Sequence, residues 1–296
     1  MKKILLTGAS GLLGPAFIER WIGQWKIVAC YHRFAAPWLK DIGYALDLSD
    51  ARALDMALEE IRPDAIVHLA GMTQPNACEQ DPAQSKKVNV EVSSQLAKYA
   101  AKQQIPLVFS STDLVFDGSQ APYREIDGTN PINVYGQHKA EAEAAILAIH
   151  PLATVARLPL LYGWSTAGKG FMVNWVERLR EGGVVYAFTD EYRTTVSSDD
   201  AAGGMGLLLE KQLSGIWHLG GRERMSRYDF AQEMARVFGL PGDRILPSLQ
   251  KEVQMAAARP ADVSLDSEKA FGMGYQARGI SAELHRINAA KSNRLP

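Results

Sequence analysis

The feature that most narrows what this chain can become lies at its N-terminus. A short run, Lys3 to Leu6, gives way to Thr-Gly-Ala-Ser-Gly-Leu-Leu-Gly with glycines at 8, 11 and 14, and an amphipathic stretch follows from about Leu12 to Trp25. Pro15 falls in the first turn of that stretch, where a helix tolerates it. Strand, glycine-rich turn and helix in this order let the backbone approach a pyrophosphate, whose charge the helix's first amides accept. The three glycines are therefore placed for a pyrophosphate, and Gly8, Ser10, Gly11, Leu12, Leu13 and Gly14 are the expected cofactor contacts of this turn. The spacing is G-x-x-G-x-x-G rather than G-x-G-x-x-G.

The same alternation continues downstream. Lys26 to Tyr31 reads as a second strand, Asp50 to Ile61 as a helix with Ser49 as its N-cap, and Ala65 to Ala70 as a buried strand. His68 inside that run reads as a buried histidine bonded to backbone. Asp81-Pro82 opens a helical pattern to about Gln103, and Asn89 within it is within reach of a site. Pro106 to Phe109 and Thr154 to Leu158 are further strands, with a helix to about His150 between them. Repeated β-α units predict an α/β fold with a doubly wound parallel sheet of the Rossmann type. Residues 1–161 are expected to form the dinucleotide-binding domain with the catalytic groups. Residues 162–296, where regularity weakens at Gly163, Gly168 and Gly170, are expected to form mainly a smaller substrate-binding lobe, with some elements returning to the main sheet. Within it Phe171 to Arg180 and Ser226 to Phe238 read as helices, and Val184 to Phe188 and Ile216 to Leu219 as strands.

Chemistry concentrates between Ser110 and Lys139, where a strand end carrying Ser110, Ser111 and Thr112 precedes a helix with Tyr135 and Lys139. Four residues apart on a helix, phenol and ammonium share a face. The positive charge is expected to lower the phenol's pKa, making it a proton donor and acceptor for a substrate oxygen. With 10 tyrosines in the chain, an accidental Tyr-x-x-x-Lys is expected in about a third of such sequences. The pair gains meaning only from its surroundings.

At the end of the second strand stands Tyr31-His32-Arg33, with no acidic residue to take ribose hydroxyls. Arg33, with His32, suits a 2′-phosphate, so NADP(H) is favoured, with NAD(H) the alternative. The 32 basic and 33 acidic residues nearly cancel, which argues against nucleic acid or a polybasic membrane patch. No apolar run approaches the ~20 residues needed to span a bilayer, and Lys2-Lys3 leads into no export signal. Cys30 and Cys78 are too few for a disulfide framework or a zinc site, and no ligand cluster justifies a metal. A cytoplasmic setting is expected.

Three segments together, TGASGLLG, HLAGMTQPNACEQDP and SSTDLVFDG…PYREID…NPINVYGQHKAEAE, resemble the extended short-chain dehydrogenase/reductases, and within them the dTDP-4-dehydrorhamnose reductases. The likeness covers Met1 to about Leu161 strongly and thins later, at DEYRTTVSSDDAA and ARPADVSLD. It implies an NAD(P)H-dependent reductase of a 4-keto nucleotide-sugar. Tyr135 would protonate the oxygen, Thr112 would bond it, and Lys139 would hold the nicotinamide ribose. It further implies Asp47 and Leu48 at the adenine, Ala70 and Gly71 on the adenosine side and Pro159 flanking the nicotinamide, with Leu69 and Ser110 as further cofactor contacts. Thr73, Asp113 and Arg193 are the expected substrate contacts, Arg193 for the phosphates. Leu114 stands where the reductase pattern has tyrosine, which bears on sugar specificity. It also stands where related dehydratases carry a second carboxylate, so dehydration is not expected. Two other readings stay open, with a homodimer as a further expectation. One is a non-catalytic NADP-binding subunit resembling the regulatory subunit of methionine adenosyltransferase; the other is a nucleotide-sugar epimerase.

Overall fold

The computed structural model describes residues 1–32, 36, 39–164 and 170–292. The chain begins β1 (Lys3–Thr7), α1 (Leu13–Trp21), β2 (Lys26–Tyr31), β3 (Gly43–Ala45), α2 (Ala51–Ile61) and β4 (Ala65–His68). Next come α3 (Pro75–Gln80), α4 (Pro82–Lys86), α5 (Val92–Gln103), β5 (Leu107–Thr112), α6 (Val134–Ile149) and β6 (Thr154–Leu158). The later part holds β7 (Leu161–Tyr162), α7 (Phe171–Arg180), β8 (Val185–Phe188), β9 (Tyr192–Arg193), β10 (Val196–Ser197) and α8 (Ser198–Glu210). It ends with β11 (Gly215–His218), β12 (Met225–Ser226), α9 (Arg227–Phe238), β13 (Ile245–Ser248), α10 (Glu268–Met273) and α11 (Ile280–Ser292).

Seven strands form one parallel sheet in the order β3-β2-β1-β4-β5-β6-β11. Ile66, Val67, Val108 and Phe109 are fully enclosed, as strands covered on both faces require. One face packs against α1 and α8 through Phe17, Trp21, Trp25, Met205 and Leu208. The other packs against α2, α5 and α6 through Leu54, Leu58, Leu96, Ala142 and Ile146. Each large apolar side chain so enclosed contributes about 1.5–3 kcal/mol. Strand order reverses between β1 and β4, which opens a crevice at their carboxyl ends, where ligands of such sheets bind.

The chain leaves the sheet after β6 and later returns to it. Helix α8 lies on α1, with Gly206 against the Trp21 ring and the Trp21 indole donating to the Ala202 carbonyl at 3.0 Å. Strand β11 then pairs with β6 at the sheet edge. Between and after these, α7, α9, α11 and the parallel pair β8–β13 enclose a separate core around Met172, Val176, Phe230 and Leu284. Among the described residues no helix is long and apolar enough to cross a membrane.

Several local expectations are corrected. Helix α1 stops at Trp21, and the chain turns back on it, Trp25 N donating to Trp21 O at 3.0 Å. Gly23 in this turn favours the break. Ser49 does not cap α2; it bonds to Asp47, and Asp50 accepts from the Arg52 and Ala53 amides instead. The span from Pro82 to Gln103 is not one α-helix, because Lys87–Glu91 widens into a π turn. Arg33 and Gly168 lie outside the described residues.

Candidate active site

Strand β5 brings Ser110, Ser111 and Thr112 to the crevice, and a 3-10 turn, Asp113–Val115, follows directly. Helix α6 starts where Asn133 caps it, its side chain accepting from the Gly136 amide at 2.8 Å and donating to the Ala258 carbonyl at 3.0 Å. A Cβ at Gly136 would collide with the Leu114 carbonyl, so glycine lets α6 lie directly on the turn. This close approach brings Tyr135 to the strand end that carries Thr112, and both side chains line the same cleft. Thr112 Oγ1 also donates to Asp113 Oδ1 at 3.1 Å. One helical turn on, Lys139 Nζ donates to the Ser110 carbonyl at 2.6 Å and sits 3.9 Å above the Phe109 ring.

Burial governs the charges here. It pushes the Tyr135 phenol above its ordinary value, with the Thr112 hydrogen bond opposing and the Asp113 carboxylate adding to the rise. It brings the Lys139 ammonium down to about 7, against the pull of Glu143. The expected lowering of the phenol by its lysine neighbour is therefore reversed. Desolvation disfavours both charged forms, and it outweighs their mutual attraction. The result is a protonated phenol, the form that gives a proton.

A single cleft of ≈ 1330 Å³ runs from this floor to the N-terminal turn. That exceeds the 300–1,000 Å³ typical of a site for one small molecule, so two ligands fit end to end. Gly8, Ser10, Gly11, Leu12, Leu13, Asp47, Leu48, Leu69, Ala70, Gly71, Ser110 and Pro159 all line it, as do Thr73, Thr112, Asp113, Tyr135, Lys139 and Arg193. Gly8 has φ 72°, and a Cβ there would lie 2.6 Å from the Ala70 nitrogen, so the turn packs onto the loop after β4. Gly14 packs rather than lines: its Cβ would lie 2.5 Å from the Ala9 carbonyl oxygen. Helix α1 has no side-chain N-cap and no acid in its first turn, leaving its first amides to an anion. Beside β2, His32 Nε2 stands 3.5 Å from Asp47 Oδ2, and bonds from Ser49 hold Asp47 below the usual carboxylate range. These features fit a dinucleotide laid across the glycine turn.

Two residues differ from their sequence reading in what they touch. The Arg193 guanidinium is already paired, with Asp113 at 3.3 Å and Glu191 at 3.4 Å. His68 is buried, but its partners are the Thr7 and Ser93 hydroxyls, at 2.7 and 3.0 Å, rather than backbone. Sequence reasoning missed Arg227 and Arg259, which also line the cleft. Arg227 lies 4.0 Å over the Phe171 ring and has a buried Nη1 with no hydrogen-bond partner among the described residues. Arg259 donates to Asn76 at 3.0 Å. No local spacing links these two arginines; only the fold of the later segments brings them together.

A seven-stranded doubly wound sheet, a glycine turn at its switch point and a Tyr-Lys helix beside it define a Rossmann-type protein of the extended short-chain dehydrogenase/reductase class. The chain belongs, within that class, to the family described as RmlD substrate binding domain, whose profile matches residues 1–289. It is 32% identical to the methionine adenosyltransferase 2 subunit beta of Bos taurus over 296 residues, covering 94% of this chain and 84% of that protein. A hypothetical dTDP-4-dehydrorhamnose reductase of Sulfolobus tokodaii superposes with a TM-score of 0.83 at 30% identity, covering 94% of this chain and 98% of the other. The dTDP-4-dehydrorhamnose reductase of Bacillus anthracis, solved with NADP, shares the fold at a TM-score of 0.87 and 23% identity, covering 98% of this chain and 99% of the other.

Proposed function

We propose that this chain is an NAD(P)H-dependent reductase of a keto sugar carried on a nucleotide, of the dTDP-4-dehydrorhamnose reductase type. One observation carries the reading: Thr112, Tyr135 and Lys139 converge on the floor of the cleft whose other end is the glycine turn. A reduced nicotinamide, when bound, supplies the hydride. Gly8, Ser10, Gly11, Leu12 and Leu13 hold its pyrophosphate with the α1 amides, Asp47 and Leu48 border the adenine, and Lys139 serves the ribose. Tyr135 gives its proton to the substrate oxygen, and Thr112 bonds that oxygen while it gains charge. Arg227, whose Nη1 has no hydrogen-bond partner among the described residues, rather than the already paired Arg193, takes the nucleotide's phosphates, for which a free guanidinium edge is suited.

The similarity to the adenosyltransferase beta subunit supports a second reading, a cofactor-binding regulatory subunit. A pure binding protein has no need of a buried phenol beside a threonine, which favours catalysis. Incubation with NADPH and dTDP-4-keto-6-deoxy-L-mannose separates the readings. Net NADPH consumption is expected. Tight binding without turnover of any keto sugar would point to the regulatory subunit, and retained cofactor with interconverted sugars to an epimerase.

A further inference from the structure

Beneath the cleft floor lies a buried charge chain that the reaction itself does not touch. Glu143 is one turn after Lys139 on α6 and 3% exposed. Arg157 of β6, 2% exposed, grips both its oxygens, with Nη2 at 2.7 Å from Oε2 and Nε at 3.1 Å from Oε1. Behind Arg157 stands His218, its register partner on β11, with Nε2 3.3 Å from Arg157 Nη1. His218 Nδ1 faces the Tyr123 and Asp266 carbonyls, each at 3.1 Å, so Nδ1 carries the hydrogen and donates. Nε2 is then an acceptor for the guanidinium. A neutral His218 adds no charge of its own, and burial beside Arg157 keeps it so, down to about 3.

Two full charges in a dry interior are costly unless they do something a packed apolar pair would not. We propose that the Glu143–Arg157 pair is a positioning device that sets the charge state of Lys139, with Glu143 supporting the ammonium and Arg157 limiting that support. The inference rests on Lys139 serving the cofactor. Other groups around Lys139 do not compete for this task. Tyr135 on its own helix, Cys78 from α3 and His68 from β4 are each held neutral by burial. Asp113 lies beyond Tyr135 and is paired with Arg193. Glu143, one turn on along the same buried face of α6, is thus the carboxylate placed to support the Lys139 ammonium against burial.

The test reads Lys139 directly in the free protein, by NMR titration of 13C-lysine-labelled protein with its signal identified by loss in Lys139→Met. In Glu143→Gln the midpoint is expected to fall by about one pH unit, since a supporting charge is lost and Arg157 is left unopposed. Removing that second charge as well, in Glu143→Gln with Arg157→Met, is expected to bring the midpoint part of the way back. A purely structural pair would leave the midpoint unmoved in the single variant, and either that result or a double variant shifted further down would overturn the proposal. Absence of NADPH oxidation by the wild-type protein would instead count against the reductase reading, and would leave this titration intact.

Discussion

Tyr135 and Lys139 share one face of α6, and burial moves their proton affinities in opposite directions: the phenol up, the ammonium down to about 7. Burial thus keeps the Tyr135 phenol protonated, the form from which a proton donor starts. Replacement Tyr135→Phe should cut turnover at least about a hundredfold while leaving the NADPH dissociation constant nearly unchanged, as steady-state kinetics and fluorescence titration would show. Lys139→Ala should damage both quantities, as its proposed role at the nicotinamide ribose requires. The pairing of Tyr135 with Lys139 was legible in the sequence as a four-residue spacing. The sign of the phenol's shift was not, because it depends on how much water the finished fold excludes.

At the scale of the element, α6 acts through its contacts with the turn before it. Gly136 sits between Tyr135 and Lys139 with no room for a side chain against Leu114. Gly136→Ala should lever the helix off the turn, and a displacement near 1 Å is enough to cost about a hundredfold in kcat. NADPH affinity should fall too, because Lys139 rides on the same helix, but by less than kcat, because the glycine turn follows β1 and is not displaced. Helices α1 and α8 meet in a similar way at Gly206, away from the cleft. Gly206→Ala should lower stability by about 1–3 kcal/mol through overpacking against Trp21, seen as a reduced urea midpoint with kcat retained. Elements with long apolar runs or clear periodicity were readable beforehand: Lys26–Tyr31, Thr154–Leu158 and Phe171–Arg180 fall where the pattern puts them. The two-residue strands β7, β9, β10 and β12 were not, since pairing across the lobe, not local preference, defines them. Arg227 and Arg259 escaped for the same reason, being 32 residues apart in sequence and joined only at the cleft.

For the molecule as a whole, the buried histidines set the acid limit. His68 and His218 are both held down to about 3, against about 6.5 for an unfolded chain. Between those values the unfolded state binds more protons, so stability rises with pH and is lost on acidification from about 6.5 towards 3. Asp113, pushed up to about 6, and Asp200, also raised by burial, work the other way; Asp113 does so over a shorter span than either histidine, and His138, lowered by burial, adds to the histidines' side. The urea midpoint should therefore fall from pH 7 to pH 5, and His218→Gln should flatten that slope if the variant folds.

The return of the chain through α8 and β11 has a consequence for how this protein can be divided. The face of the sheet that Phe17, Trp21 and Trp25 look onto is closed by residues from beyond position 200, and β6 has its outer neighbour only once β11 arrives. A fragment cut at residue 161 would carry every glycine of the N-terminal turn together with Thr112, Tyr135 and Lys139, yet expose a greasy flank and a naked strand edge. Cleft and core are divided along different lines here, and a piece ending at residue 161 should not fold stably by itself.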